Sequence, residues 1–343
     1  MPAHDRTHPS LTRDHAVART SAQTPQIRVE YHEPDASAST PSGLLAAVRF
    51  GTRAPRVPLA PLEIDVQLAA LQGSRSAELW FANGPVRTGS SGLVRYAHDD
   101  HFLFATIEED ERSHGGICST AEVAYAAMRR FQEQCSFPHL LRMWNYLDAI
   151  NEGAGDLERY RQFCVGRARA LADDVSTPYP AATAIGRQHA THQLQVYWLA
   201  GLQPGVAVEN PRQVSAYQYP RVHGPVSPSF SRATVVGDGT VLISGTASIV
   251  GHISQHQGDT LEQLEETLRN LNALTTHAGR HQSAPTSKEL LKVYLRDPVL
   301  VDPIAARLRQ AFPHSAAIFL AADVCRRELL VEIEAVRTAA VTG

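Results

Sequence analysis

Apolar positions along the chain change their spacing several times, and the changes mark out the elements. Residues 1–25 are polar, carry prolines and show no apolar periodicity, which predicts a loose tail. From Gln26 the run QIRVEYHE alternates as a half-buried strand does, the stretch 41–62 mixes a short strand with proline-rich loop, and Ala77–Ala82 reads as a buried strand stopped by Asn83-Gly84-Pro85. Further on, strands are expected over Phe102–Ile107, Leu140–Leu147 and Gln193–Leu199. Helices are expected from a capping box at Ser119-Thr-Ala-Glu and over Asp156–Leu171. The last third gives strands at Thr240–Gly245, Leu290–Leu295 and Leu329–Ala335, with amphipathic helices at Thr260–Leu274 and Pro303–Phe312.

The order of elements in the last third repeats that of the middle third, and the letters repeat with it. LLRMWNYLDAI (140–150) lines up with LLKVYLRDPVL (290–300). YPAATAIGRQHATHQLQVYWLA (179–200) lines up with FPHSAAIFLAADVCRRELLVEIEA (312–335) once two residues are added before the last strand. Each unit reads β-β-α-β-α-β-β, an α+β sheet with two helices on one face. The expected division is a tail (1–25), a degenerate first unit in which only strands are legible (26–90), a central unit (91–210) and a C-terminal unit (211–343).

Composition narrows the classes. Hydrophobic residues make up 43% and charged residues 20% of 343, enough for a sizeable core. Lys and Arg number 32 against 35 Asp and Glu, so no basic excess points to nucleic acid. No apolar run approaches a membrane span, and the N-terminus lacks the apolar stretch of a secretion signal. Cys118, Cys135, Cys164 and Cys325 form no CxxC pair, which suits a reducing compartment. The expectation is a soluble cytoplasmic protein.

The C-terminal third resembles the RidA/YjgF family, through Pro228-Ser-Phe-Ser-Arg-Ala233, Ile243-Ser-Gly-Thr246, Asn270–Leu274 with His277-Ala-Gly279, and Val331–Ala335. Where the deaminases of that family hold an Arg for the substrate carboxylate, this chain has Ser315, which speaks against imine or enamine deamination. Over roughly residues 40–335 the chain is more similar to the chorismatases, or chorismate-hydrolysing 3-hydroxybenzoate synthases. The carrying stretches are WNYLDAIN (144–151), ERYRQFCVGRA (158–168), ENPRQVSAYQYPRVHGPVSPSFSRA (209–233), SGTASIVGH (244–252) and CRRELLVEIE (325–334). This resemblance implies tandem RidA/YjgF-like (chorismate-mutase-like) units in a pseudo-threefold single chain. It places the active site in the cleft between the central and C-terminal units, and it implies a monomer that needs no cofactor and no metal.

The implied reaction breaks the enolpyruvyl ether of chorismate to give pyruvate and 3-hydroxybenzoate, with 4-hydroxybenzoate as the alternative isomer. It asks for a proton donor at the enol methylene and for clamps on two carboxylates. Glu332 is the candidate donor: it shares a strand face with Glu334, opposite Val331 and Ile333, and partial burial would raise its proton affinity. An arbitrary VEIE strand more often carries two solvated charges. The resemblance lifts Glu332 out of that reading and leaves Glu334 in it. Cys325, by resemblance, marks the members that aromatise the ring. For the clamps, the family motifs fall on Tyr160, Arg167, Tyr219 and Arg232, with Arg221 a further candidate, since a guanidinium fork matches a carboxylate.

Other signals are weak. The close pairs His98/His101, His189/His192, His252/His256 and His277/His281 lack an HExxH or CxxC context, so bland surface or hydrogen-bonded roles are expected. No phosphate loop, dinucleotide fingerprint or GxSxG elbow is present. The alternatives are a RidA-type deaminase and a non-catalytic module that binds a small carboxylate.

Overall fold

The near-continuous apolar runs seen in the sequence become strands buried on both faces. The computed structural model describes residues 25–32, 42–51, 60–71, 77–171, 178–282 and 286–339. The expected tail, apart from its last residue, lies outside them.

Three sheets follow one another. The first holds β1 (Arg28–His32), β2 (Leu44–Phe50), β3 (Glu63–Val66) and β4 (Ala77–Phe81), in the order β1-β4-β2-β3. The second holds β5 (Arg87–Ser91), β6 (Val94–His98), β7 (Phe102–Asp110), β8 (His139–Asp148), β9 (Ala181–Arg187) and β10 (Gln193–Gly201). Its order is β9-β8-β10-β7-β6-β5, and the short Asp323–Val324 strand adds beside β9. The third holds β11 (Val206–Val208), β12 (Ala233–Val235), β13 (Val241–Ala247), β16 (Thr286–Leu295), β17 (Ala316–Ala321) and β19 (Val331–Ala339), ordered β11-β12-β13-β19-β16-β17. A small hairpin of β14 (Ile249–Val250) and β15 (Ile253–Ser254) stands apart, and β18 is the Asp323–Val324 strand. The sheets thus begin at Arg28, Arg87 and Val206, a few residues from the expected unit starts for the second and third.

One four-strand arrangement recurs in all three sheets. A parallel pair (β2/β3, β8/β9, β16/β17) is flanked by an antiparallel strand (β4, β10, β19) and then by a fourth (β1, β7, β13). A parallel pair needs a crossover, and in the second and third sheets a helix provides it. These are α2 (Arg159–Leu171) and α4 (Val301–Ala311), packed beside α1 (Ile117–Gln134) and α3 (Thr260–Ala278).

The helices cover one face of their sheets, where Met128, Phe131 and Phe163 join Met143 and Trp198, and where Leu264 and Leu271 join Val293 and Ile333. The opposite faces of all three sheets meet in a common core. There Trp80 stands edge-on to Trp144 with ring centres 5.4 Å apart, and Trp144 stacks on Tyr197 at 4.8 Å. The Tyr146 hydroxyl lies 2.9 Å from that of Tyr294 and 3.2 Å from that of Tyr197. Aromatic pairs of this kind add about 1 kcal/mol each beyond their buried area, so the core ties the units together.

Two local expectations are corrected. Helix α1 starts at Ile117 with Gly116 as its N-cap (φ 117°), so Ser119 lies inside the first turn and caps nothing; Thr120 turns its hydroxyl back to the Gly116 carbonyl at 2.8 Å. The helix expected from Asp156 begins at Arg159, because Gly155–Leu157 forms a 3-10 turn and Glu158 (ψ 133°) is extended. Gly166 of α2 is a packing point: a Cβ there would sit 1.9 Å from the Cys118 carbonyl oxygen of α1.

Candidate active site

A cavity of about 170 Å³ opens between the central and C-terminal sheets, lined by α2, β9, β13, β19 and the segments leading into them. That is room for a ring-sized ligand, where a single water needs about 10–15 Å³. Glu332 forms part of its floor, on β19, opposite Ala247 of β13 and Tyr294 of β16. Glu332 is 5% exposed, and among the described residues no donor is hydrogen-bonded to its carboxyl group. Burial, with Glu334 beside it, pushes Glu332 up to about 8 against the pull of Arg142 and Arg232. At neutral pH it is a neutral acid facing a cavity. Gly245 of β13 makes the space, because a Cβ there would lie 1.9 Å from Glu332 Oε1.

Two arginines face the same cavity, and neither guanidinium forms an ion pair among the described residues, although Glu209 lies within electrostatic reach of Arg232. Arg232, 3% exposed, donates to the Tyr219 hydroxyl at 2.7 Å and to the Val214 carbonyl at 3.0 Å. Arg167, on α2, donates to the Ser229 carbonyl at 2.7 Å and stands 5.1 Å from the Tyr125 ring centre. Both retain a buried Nε–H with no acceptor. A buried guanidinium without a counter-ion is expensive, and an anionic ligand would remove that cost at both positions.

The remaining walls are neutral or weakly polar. Tyr160, Cys164 and Cys325 lie together; burial pushes the Tyr160 phenol well up, the Cys164 thiol up to about 11, and the Cys325 thiol higher still, the latter helped by Glu332. Near neutral pH Cys325 is therefore a thiol and not a thiolate. At the rim, burial and then Arg326 lower His223 to about 4, which keeps its ring neutral. His252 meets it at 3.0 Å. Among the described residues no three His, Cys, Asp or Glu side chains converge as a metal site, and no helix is long and apolar enough to cross a membrane.

Comparison with known proteins gives the family. The family model described as "Chorismatase FkbO/Hyg5-like, N-terminal" matches residues 78–200. A 3-hydroxybenzoate synthase of Streptomyces hygroscopicus is 34% identical over 292 residues, covering 80% of this chain and 85% of the relative. A chorismatase of Streptomyces rapamycinicus is 36% identical over 276 residues, covering 76% and 81%. The chain belongs to the chorismatase family. A chorismatase crystal structure superposes with a TM-score of 0.77 at 30% identity, over 92% of this chain and 98% of that one.

Six of the seven residues singled out from the sequence line the cavity of this chorismatase-family chain: Tyr160, Arg167, Tyr219, Arg232, Cys325 and Glu332. Arg221 does not. Its exposed guanidinium pairs with Asp156, one contact at 2.9 Å, outside the cavity. Ser315 is also elsewhere, its hydroxyl 3.3 Å from Glu289.

Glu334 is the clear correction. The expected solvated charge is 4% exposed and saturated with partners. Lys292 Nζ, Arg142 Nη2 and Trp144 Nε1 each donate to it at 2.8 Å, and Thr183 Oγ1 does so at 2.6 Å. Against the desolvation of burial, Lys292 and Arg142 hold it below the usual carboxylate range. Asn145, Thr183, Gly245 and Arg326 also line the chorismatase cavity, and none stood out from the sequence. Asn145, Gly245 and Arg326 sit inside family stretches already quoted, a signal that could have found them; Thr183 does not.

Proposed function

We propose that this chain cleaves the enolpyruvyl ether of chorismate, releasing pyruvate and 3-hydroxybenzoate, with 4-hydroxybenzoate as the alternative isomer. The observation that carries the reading is the neutral, buried Glu332 facing Arg167 and Arg232, a proton donor opposite two unpaired cations. Chorismate brings two carboxylates for the arginines and an enol ether whose methylene accepts the proton of Glu332. The resulting oxocarbenium ion is captured by water or by the neighbouring ring oxygen, and pyruvate departs with the carbon–oxygen bond broken. Loss of the C4 hydroxyl aromatises the ring to the 3-isomer, and loss of the C3 oxygen gives the 4-isomer. Atoms balance on either route: with water as the nucleophile, the water taken up in cleavage is returned on aromatisation, and with the ring oxygen as the nucleophile that oxygen leaves in pyruvate and no water is exchanged.

Cys325 closes the wall beside Glu332 as a neutral thiol and steers the ring toward aromatisation. Tyr219 holds Arg232, while Tyr160 shapes the α2 wall. On this reading the three sheets stand for units at 26–90, 91–210 and 211–343. Both halves of the site come from one chain, so the enzyme works as a monomer, in the cytoplasm where chorismate is made.

The test is to mix purified protein with chorismate, adding neither metal nor cofactor, and to resolve products chromatographically. Pyruvate in step with 3-hydroxybenzoate is expected, and Glu332→Gln should lose both. Chorismate binding by calorimetry without any pyruvate would overturn the reading in favour of a binding module.

A further inference from the structure

Below Glu332 lies a buried cluster of four charges that the reaction itself does not use. Lys292, 0% exposed on β16, sits between Glu78 Oε2 at 2.7 Å and Glu334 Oε1 at 2.8 Å. The other oxygen of Glu334 takes Arg142 and Thr183. Thr183 Oγ1 in turn accepts from Arg142 at 2.5 Å and from the Gly245 backbone N–H at 2.9 Å. Gly245 is the residue against which the Glu332 carboxyl rests. The chain of contacts therefore runs from the N-terminal sheet, through the core, to the floor of the cavity.

We infer that Glu78 is a positioning residue of the active site: through Lys292 it sets the charge balance of the buried cluster on which Glu332 rests. Two cations, Lys292 and Arg142, face the carboxyl groups of Glu78 and Glu334; burial pushes Glu78 above the usual carboxylate range against the pull of Lys292 at 2.7 Å, and with Glu78 ionised the cluster is balanced. None of the residues lining the cavity comes from the N-terminal sheet, which makes Glu78 that sheet's contribution to the site. A buried ion cluster is no better for stability than apolar residues of the same volume; its value here lies in fixing the proton on the acid.

Other charged groups also act on Glu332. Arg142 of β8 and Arg232, before β12, pull its proton affinity down, and Glu334 on its own strand pushes it up. Across the cavity stand Arg167, Tyr160 and Cys164 from α2, Tyr219 and His223 from the preceding turns, and Cys325 with Arg326 and Glu328 from the loop before β19. The groups across the cavity do not touch Glu78, so a change at Glu78 reaches Glu332 through Lys292, Glu334 and Arg142 of the cluster.

The test reads the Glu332 carboxyl directly, as the infrared C=O band of the ligand-free protein titrated with pH, with Glu332→Gln as the subtraction reference. Glu78→Gln keeps the size of the side chain and leaves the cluster with one surplus positive charge. The Glu332 midpoint should fall by ~1 pH unit, and the alkaline limb of kcat should move with it. Glu78→Gln combined with Lys292→Met restores neutrality and should return the midpoint to within ~0.3 units of wild type. A folded Glu78→Gln with an unmoved midpoint overturns the inference. If that variant does not fold, Lys292→Met decides: it leaves one surplus negative charge and should raise the midpoint, and an unmoved midpoint there overturns the inference equally. The inference rests on Glu332 as the catalytic acid. Undiminished turnover by Glu332→Gln would sink that reading, whereas the shift at Glu78 is measured without substrate and fails or holds separately.

Discussion

Replacing Arg232 by Met tests the clamp most directly. The guanidinium is 3% exposed, bounded by the Phe230 ring at 5.1 Å and the Tyr219 ring at 5.6 Å, with its Nε–H buried and unpaired. A substrate carboxylate arriving there would complete a buried ion pair, and losing one partner of such a pair costs about 3–5 kcal/mol. At 1.36 kcal/mol per decade, kcat/KM should fall by about two to four powers of ten. Met keeps most of the apolar stem, so packing against Phe230 survives and the loss is charge. Tyr219 acts through Arg232, by the 2.7 Å hydrogen bond from the guanidinium to its hydroxyl. Tyr219→Phe should therefore cost about tenfold, in line with one hydrogen bond to a charged group, and should add almost nothing once Arg232 is gone. The assay is initial pyruvate release coupled to lactate dehydrogenase, with a thermal melt of each variant to confirm folding. A folded Arg232→Met within about threefold of wild type, or full additivity of the two substitutions, would refute the clamp.

Three further outcomes are expected. Arg221→Ala should leave kcat/KM unchanged, since its charge is spent on Asp156 at the surface; a loss beyond tenfold would bring it back into the site. Cys325→Ala should divert part of the flux to a non-aromatised dihydrodiol, and release of hydroxybenzoates alone would remove the thiol from ring steering. Glu332 carries a stability signature of its own. Its proton is held to about 8 in the fold against 4.5 ordinarily, so the unfolded chain gives the proton up first and stability falls as pH rises between those values. Glu332→Gln should lack that slope and melt above wild type at pH 8 while matching it near pH 4.5. A wild-type-minus-variant difference independent of pH would mean that Glu332 is not held as a neutral acid.

The repeat was legible because strands covered on both faces are written as apolar runs, and LLRMWNYL and LLKVYL keep the same polar position, Arg142 and Lys292. Strand order was not legible. Nothing in the local pattern says that β4 lies between β1 and β2, or that the first sheet repeats the parallel-pair arrangement of the other two. The start of α1 was missed for a local reason: Ser119 and Glu122 have capping-box spacing, but the left-handed Gly115-Gly116 pair turns the chain into the helix before them. Backbone conformation at glycine overrode side-chain capping chemistry.

At the site, Glu332 and the arginines were reached only through family motifs, and Glu334 beside them was misread because alternation was taken to mean one face in water. In β19, Val331 and Ile333 do turn toward the helices, among the residues packed on α3 and α4. Glu332 and Glu334 turn the other way, and that face is covered too, by the central sheet and the N-terminal sheet together. In β16, likewise, Leu291 and Val293 meet the helices while Lys292 and Tyr294 enter the common core. A polar residue at every second strand position is thus what a sheet shows when its second face meets other units of the same chain. The partners of Lys292 come from β4 and β19, more than two hundred residues apart for Glu78 and forty-two for Glu334. A reading confined to the C-terminal unit can pair Lys292 with Glu334 across β16 and β19 but leaves out Glu78. Completing the cluster requires Glu78 of the first sheet and Arg142 of the second beside the third, which is why the charge balance under Glu332 belongs to the tertiary fold.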